Sequence, residues 1–313
     1  MKNIAVMGEC MVEFGSAELP QTYKQGFAGD VFNTGIYIKR CVEQKATVNF
    51  LSAIGNDELS DQLIKLMTQE NLNNDLLYRS NTEKMGLYLI NVDDEGERSF
   101  TYWRKDSAAT KIMQFIESEE TFDKFAQIDS LFFSGISLAI LSESDLTSFW
   151  SFLASIKNFG VKIIFDPNYR PTLWQGEEAA RKAFNIAFSL SDVVLPGVED
   201  HMALYGAKSA EDVADYLEEL GVEEIVIKNG PESILISEKG KRAIIDVIPA
   251  HKVVDTTSAG DAFNGGYLSA RIMGRSIEQA ALFAANVAKC VIQHKGAIVD
   301  KKSFSEHLTK FPM

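Results

Sequence analysis

The chain has 313 residues, of which 46% are hydrophobic and 24% are charged, which excludes a disordered chain, a collagen-like repeat and a disulfide-stapled miniprotein. Lys and Arg number 31 against 44 Asp and Glu, which gives a formal net charge of −13. Such an acidic chain is a poor candidate for binding nucleic acid or an anionic membrane, because both need a basic surface. If the ligand is an anion, the positive charge that binds it must be local.

The start of the chain and its cysteines bear on the cellular compartment. Residues 1–9 lack the continuous apolar segment of a signal peptide and predict a first strand. No apolar run approaches the roughly 20 residues that a membrane-spanning helix needs. Cys10, Cys41 and Cys290 are an odd number without metal-binding or redox spacing, which favours reduced thiols. We therefore expect a cytoplasmic protein.

Short β-rich runs alternate with longer helical segments along the chain. Strands are predicted at residues 46–54, 128–134, 161–165, 192–195 and 224–227. Helices are predicted at residues 57–70, 143–158 and 209–220, and two more follow Ser258 and Ser276. This βαβα order favours a doubly wound, mostly parallel α/β sheet. Length alone suggests two domains of about 150 residues each, but no linker is visible, and we expect one domain over residues 1–313.

One segment departs from this alternation. Residues 86–92 and 97–104 are strand-like runs joined by a four-residue turn signal, which predicts an antiparallel hairpin. In the resulting register Tyr88 faces Tyr102, and Arg104 shares their face because strand side chains alternate. The hairpin is either a lid inserted into the α/β pattern or an ordinary half-buried hairpin.

The strongest signal is the run VDTTSAGDAFNGG at residues 254–266. Small, hydroxylated and glycine residues lead into an apolar helix, so the backbone N–H groups of residues 258–261 can converge at a helix N-terminus. Such a terminus binds phosphate oxygens and stabilises the charge on a transferring phosphoryl group. Asp261 in the first turn then occupies the place of a general base for a substrate hydroxyl. The alternative is an ordinary capped helix with an acidic first turn.

This run resembles the C-terminal signature of the ribokinase-like (PfkB) carbohydrate kinases, and the run GFAGDVFNT at residues 26–34 resembles the family's sugar-binding element. The resemblance extends from Gly8 to Gly296. It implies a ribokinase-like fold, a three-layer, doubly wound, mostly parallel sheet with a small β-sheet lid from roughly residues 14–33 and 85–106. It also implies ATP-dependent phosphorylation of a primary sugar hydroxyl, with Mg²⁺ as cofactor.

Within the family, the chain is most similar to the branch that phosphorylates the sugar acid 2-keto-3-deoxygluconate, through motifs at residues 8–13, 102–104 and 166–171. A sugar acid needs a cation that a neutral sugar does not, and an arginine fork grips a carboxylate through two hydrogen bonds. The substrate-binding residues that the resemblance implies are Gly29, Asp30, Asn33, Tyr88, Tyr102, Arg104, Arg170 and Asp261. Of these, Gly29, Asp30 and Asn33 would bind sugar hydroxyls. Tyr88, Tyr102, Arg104 and Arg170 would hold the keto-acid end. The catalytic group that it implies is Ser258, Ala259, Gly260 and Asp261, with Asp261 as the base.

The nucleotide and metal sites are implied by the same resemblance. The nucleotide-binding residues would be Asn168, Lys228, Gly230, Thr257, Gly260 and Asn286. Neither a Walker A motif nor G-x-G-x-x-G occurs, so the motifs of P-loop kinases and Rossmann dehydrogenases are both missing. Glu199 would help to hold Mg²⁺, although Pro196 stands where the family commonly carries an Asn. Asp255 either lies near a monovalent cation, as in some relatives, or is a structural turn residue.

Two other functions stay open. A fructokinase or ribokinase would act on a neutral sugar, which gives Arg104 and Arg170 nothing to neutralise. A non-catalytic sugar-acid sensor would keep the fold, and Pro196 leaves that interpretation open. The implied partners are a small sugar acid and ATP, and a homo-oligomer formed through the exposed edge of the lid is compatible with the pattern.

Overall fold

The computed structural model describes residues 2–17, 19, 21–92, 98–116, 124–311 and 313. Its strands form two sheets, one of nine strands and one of four. The nine-stranded sheet contains β1 (Lys2–Met7), β4 (Ala46–Ile54), β5 (Leu77–Arg79), β8 (Ser130–Ser134), β9 (Lys162–Asp166), β10 (Val193–Val194), β11 (Glu224–Asn229), β12 (Ser233–Glu238) and β13 (Lys241–Asp246). The four-stranded sheet, called the small sheet below, contains β2 (Met11–Ser16), β3 (Tyr23–Ala28), β6 (Leu87–Val92) and β7 (Arg98–Trp103).

The large sheet has the order β13-β12-β11-β10-β9-β8-β1-β4-β5. All pairings from β11 to β5 are parallel, and β12 and β13 add an antiparallel edge. This arrangement confirms the predicted mostly parallel α/β sheet. The predicted strand 192–195 is shorter in the structure, where it spans Val193–Val194. Strands β12 and β13 were not predicted.

Helices cover both faces of the large sheet. They are α1 (Asp30–Val42), α2 (Glu58–Glu70), α3 (Met113–Ile116), α4 (Gly135–Ala139), α5 (Glu143–Asn158), α6 (Glu177–Leu190), α7 (Val198–Tyr205), α8 (Ala210–Glu219), α9 (Ala259–Ile272), α10 (Ile277–Val291) and α11 (Lys301–Lys310). Strand β1 shows why two cores form: Ile4 and Val6 pack into one hydrophobic cluster, whereas Ala5 and Met7 pack into the other. A strand that is buried on both faces needs apolar residues at successive positions.

The small sheet has the order β3-β2-β6-β7. Strands β6 and β7 pair antiparallel with Tyr88 opposite Tyr102, which confirms the predicted hairpin register. The predicted turn at residues 93–96 and Glu97 lie outside the described residues. The small sheet begins at Met11, a few residues before the predicted start near residue 14.

Gly29 links the small sheet to α1, because it lies between the end of β3 and the first residue of α1. A Cβ atom at this position would come within 2.1 Å of the backbone oxygen of Glu9, a contact that the backbone cannot accommodate without moving. We expect Gly29→Ala to lower the free energy of unfolding by about 1–3 kcal/mol, the usual effect of overpacking, as measured by urea denaturation. Gly15→Ala on β2 is the matched control, since a Cβ there meets no atom within 4 Å. Equal stability of the two variants would contradict the steric argument.

Candidate active site

A cavity of about 630 Å³ lies between the carboxyl ends of the central parallel strands and the small sheet. Ligand sites of open α/β sheets occur at this edge of the large sheet. The predicted site residues that line it are Gly29, Asp30, Asn33, Tyr88, Tyr102, Arg104, Asn168, Arg170, Glu199, Lys228, Gly230, Thr257, Ser258, Ala259, Gly260 and Asp261. The chain thus brings residues from the small sheet and from the first turn of α9 to one place.

Asp261 lies in the first turn of α9 and is held there by two side chains. Its Oδ2 accepts hydrogen bonds from Asn33 Nδ2 at 2.9 Å and from Ser258 Oγ at 2.8 Å. Asn33 was predicted to bind sugar and Ser258 to stabilise phosphate, and in the structure both orient the carboxylate of Asp261. Since these bonds converge on one oxygen, Oδ1 is left to take a proton from a ligand.

The charge of Asp261 is destabilised by its surroundings. Burial, followed by the nearby carboxylate of Asp30, raises the pKa of Asp261 to about 7, although the bonds from Asn33 and Ser258 oppose the shift. The pKa of Asp30 is also raised by burial. A carboxyl group whose pKa lies near neutrality is suited to accept a proton at physiological pH.

Gly260 opens the N-terminus of α9 to the cavity. A Cβ atom at Gly260 would meet no protein atom within 4 Å, so the packing of the chain itself does not require a glycine here. The first backbone N–H groups of a helix lack partners within the helix and carry partial positive charge. The absence of a side chain therefore leaves room for an anion to approach these groups closely.

Lys228 is held by the chain itself. Its Nζ lies 3.0 Å from Asp166 Oδ2 and 3.1 Å from Asn264 Oδ1, and Asn264 Nδ2 donates to the same oxygen of Asp166 at 2.6 Å. Lys228 lines the cavity and is paired there with Asp166 at the end of β9. Sequence reasoning assigned no role to Asp166 or Asn264, although an acid at the end of a buried parallel strand was an available signal.

Asn168 contacts the carboxylate of Asp30, the acid whose charge also raises the pKa of Asp261. Its Nδ2 donates to Asp30 Oδ2 at 2.9 Å, so the side chain that was predicted to bind nucleotide also helps to orient Asp30. Asn168 has a φ angle of 34°, a left-handed conformation that Asn tolerates better than most residues.

Arg104 follows β7 and forms an ion pair with Glu9, whose side chain is only 2% exposed. Glu9 Oε1 also accepts a hydrogen bond from Ser107 Oγ. Burial raises the pKa of Glu9, and the guanidinium of Arg104 opposes that shift. Gly86 provides the space that the carboxylate of Glu9 occupies, because a Cβ at this position would lie 2.7 Å from Glu9 Oε1. Sequence reasoning missed Glu9, since its partner is remote in sequence.

The oxygen donors for a divalent cation lie at the start of α7. Glu199 and Asp200 both line the cavity, and burial together with Asp166 raises the pKa of Asp200 to about 6. A nearby cation would favour the charged form of such a carboxyl. No cluster of three or more His, Cys, Asp or Glu ligands occurs in the part of the chain that the structure describes. Mg²⁺ fits this donor set, because it binds few carboxylates and retains several waters.

Two predicted residues lie apart from the cavity lining. Asp255 accepts backbone hydrogen bonds from Thr257 at 3.0 Å and Gly296 at 2.7 Å, which favours the structural turn over the cation site. Asn286 lies within α10, where its Nδ2 donates to the carbonyl of Leu282 at 3.1 Å.

The sequence matches the pfkB family of carbohydrate kinases over residues 1–303. The chain belongs to this family. It is 39% identical to a 2-dehydro-3-deoxygluconokinase of Escherichia coli over 307 residues, which cover 96% of this chain and 98% of the relative. It is 35% identical to the enzyme of the same name from Haemophilus influenzae over 314 residues, covering 99% and 100% of the two chains.

Solved structures of pfkB kinases share the fold. A 2-dehydro-3-deoxygluconokinase from Thermotoga maritima superposes with a TM-score of 0.82 at 18% identity, covering 98% of both chains. A ribokinase II homologue from Escherichia coli, solved in complex with ATP and Mg²⁺, superposes with a TM-score of 0.83 at 20% identity, covering 99% of this chain and 100% of that one. These likenesses establish the ribokinase-like α/β fold. Among the described residues of this pfkB kinase, no helix is long and apolar enough to cross a membrane.

Proposed function

We propose that the chain transfers the γ-phosphoryl group of ATP to the primary hydroxyl of 2-keto-3-deoxygluconate, giving 2-keto-3-deoxy-6-phosphogluconate and ADP. The observation that carries the proposal is one cavity that combines a helix N-terminus, Asp261 and two arginines. The first two are the parts of a phosphoryl-transfer site, and Arg104 and Arg170 supply cations for a carboxylate. The 2-dehydro-3-deoxygluconokinases that match most of the chain support this substrate.

The residues of the chain account for the movement of the proton. The primary hydroxyl oxygen attacks the γ-phosphorus, the bond to the β,γ-bridging oxygen breaks, and the hydroxyl proton passes to Asp261 Oδ1. Asn33 and Ser258 hold the opposite oxygen and thereby aim the carboxylate. The N-terminus of α9 at residues 258–260 faces the charge on the phosphoryl oxygens. Glu199 and Asp200 would hold Mg²⁺, which when bound neutralises phosphate charge.

The small sheet acts as a lid over one α/β domain in this proposal. Tyr88, Tyr102 and Arg104 reach the cavity from the small sheet, so its closure would exclude water and limit hydrolysis of ATP. We assign Tyr102, Arg104 and Arg170 to the carboxylate. Gly230 follows β11 and Thr257 precedes α9, both line the cavity, and we assign them to the nucleotide.

The test is the release of ADP across a panel of substrates with purified protein, ATP and Mg²⁺. We expect turnover of 2-keto-3-deoxygluconate and weak or no turnover of fructose and ribose. Preference for a neutral sugar would identify a fructokinase or ribokinase instead. Binding of the sugar acid without ADP release would identify a sensor. The Asp261→Asn protein is the control for contaminating kinase activity.

The pH dependence of the reaction tests the state of Asp261. Because a base must be deprotonated to accept the hydroxyl proton, a pKa near 7 predicts that kcat rises with pH through neutrality and then levels off. Below that pKa the group is protonated and the rate should fall about tenfold per pH unit. A rate that is constant from pH 5 to 8 would contradict this role.

A further inference from the structure

One row of residues crosses the small sheet at the level of the cavity. Glu13 on β2 pairs with Gly26 on β3 and with Tyr88 on β6, and Tyr88 pairs with Tyr102 on β7. Both tyrosines line the cavity, and their ring centroids are 5.6 Å apart. Gly26 presents no side chain to Glu13, and a Cβ there would lie 3.4 Å from Glu13 Oε1.

The hydroxyl of Tyr88 donates a hydrogen bond to Glu13 Oε2. A carboxylate can only accept hydrogen bonds, whereas a phenol has one proton to donate and lone pairs that accept. Burial, followed by the charge of Glu13, raises the pKa of Tyr88, so the phenol stays protonated. The single proton of Tyr88 is therefore committed within the chain, and its oxygen can offer a ligand only an acceptor.

Arg104, which lines the same cavity beside Tyr102, offers hydrogen-bond donors where Tyr88 offers an acceptor. Arg104 has five N–H donors and no acceptor, and its guanidinium carbon lies 5.9 Å from the ring centroid of Tyr102. A substrate carboxylate is an acceptor, so it matches Arg104 and is repelled by the lone pairs of Tyr88. A substrate hydroxyl can donate a proton, so it matches Tyr88.

We propose that Glu13 is a positioning residue that makes Tyr88 a hydrogen-bond acceptor for a secondary hydroxyl of the substrate. Tyr88 then binds the polyol part of the sugar acid, and Arg104 binds its carboxylate. This inference rests on the proposed function and deepens it. It differs from the expectation that Tyr88 holds the keto-acid end.

The experiment measures KM and kcat of four variants on four substrates. The variants are Tyr88→Phe, Glu13→Leu, which removes the acceptor at similar size, Glu13→Gln, which keeps an acceptor oxygen, and the double variant Tyr88→Phe/Glu13→Leu. The substrates are 2-keto-3-deoxygluconate, its two analogues that each lack one secondary hydroxyl, and its carboxamide. Asp106→Asn is the charge-matched control, because this acid follows β7, is exposed and is not among the residues that line the cavity. Thermal melting shows that each variant is folded.

We expect Tyr88→Phe and Glu13→Leu to raise KM for the full substrate by about 5- to 20-fold, the range for one lost hydrogen bond in a site, with little change in kcat. The same rise in KM relative to the wild-type protein should be seen with the carboxamide, and it should be absent with one of the two deoxy analogues. The double variant should be no worse than Tyr88→Phe alone, and Glu13→Gln should recover most of the affinity. If Glu13→Leu unfolds, Tyr88→Phe and Glu13→Gln still give the comparison.

The opposite pattern overturns the proposal: a penalty that disappears on the carboxamide and persists on both deoxy analogues places the carboxylate at Tyr88. An equal loss on all substrates, carried by kcat, also overturns it, since that indicates a merely structural role. If the wild-type protein turns over the sugar acid and either result is obtained, the roles of Tyr88 and Glu13 inferred here fail while the proposed function stands. If the wild-type protein turns over no sugar acid, the proposed function itself fails.

Discussion

Replacing Asp261 by Asn is expected to lower kcat by at least about 100-fold, and by as much as about 10⁴-fold, the range for loss of a general base. The amide oxygen of Asn can still accept the bonds that Asn33 and Ser258 donate to Asp261 Oδ2, so the fold and substrate binding should persist. The amide cannot take the hydroxyl proton at neutral pH. The loss should therefore appear in kcat, with KM for the sugar acid and for ATP changed by less than about threefold.

The measurement is steady-state release of ADP, with thermal melting to show that the variant is folded. Asp246→Asn is a matched control, because it makes the same change at an exposed residue at the end of β13. The rise of kcat with pH should also be lost in the Asp261 variant. Wild-type turnover in that variant would show that another group, or water, takes the proton.

Replacing Arg104 by Lys is expected to raise KM for 2-keto-3-deoxygluconate by about 10- to 100-fold, the scale of one charge-assisted hydrogen-bonding pair. The change keeps the positive charge, but the structure explains why charge is insufficient. Arg104 already forms an ion pair with the buried carboxylate of Glu9. A guanidinium has donors for Glu9 and for a substrate together, whereas the single ammonium of Lys would be drawn to Glu9.

The control for this prediction is Arg79→Lys, which makes the same change at an arginine that pairs with Asp61 away from the cavity. Use of a neutral sugar, if any is detectable, should be much less affected by the Arg104 variant. An equal effect on acidic and neutral sugars would indicate that the carboxylate binds elsewhere, with Arg170 as the nearest remaining candidate.

Local patterns in the sequence predicted the architecture and the centre of the site. The strand at residues 46–54 and the helix at 143–158 have the predicted bounds, because burial imposes a periodicity that the sequence carries. The register that puts Tyr88 opposite Tyr102 was also predictable, since a short hairpin leaves few pairings. The helix N-terminus before Asp261 was predictable because small residues and glycine lead into it.

The partners of the charged groups could not be predicted in this way. Asn33 meets Asp261 across 228 positions and Lys228 meets Asp166 across 62, and in each case the residues lie at the ends of different elements. Periodicity reports which face of an element is buried, but it does not report which loops meet at the edge of a sheet. Ligand contacts were predicted for Asn33, Lys228 and Asn168, which all line the cavity, and the structure adds the contacts that these side chains make within the chain.

The net charge of −13 disfavours polyanionic partners and predicts a local positive site for any anionic ligand. The sequence by itself determined the α/β class, the hairpin and the helix N-terminus, since each depends on residues close together in the chain. Only the tertiary structure decided that Glu9 pairs with Arg104, that Asp166 pairs with Lys228 and that Glu13 accepts the hydrogen bond of Tyr88. These pairings depend on which strands and helices lie side by side in the folded chain. Buried charges are stable only beside partners of opposite charge, and the spatial order of the elements decides which partners those are.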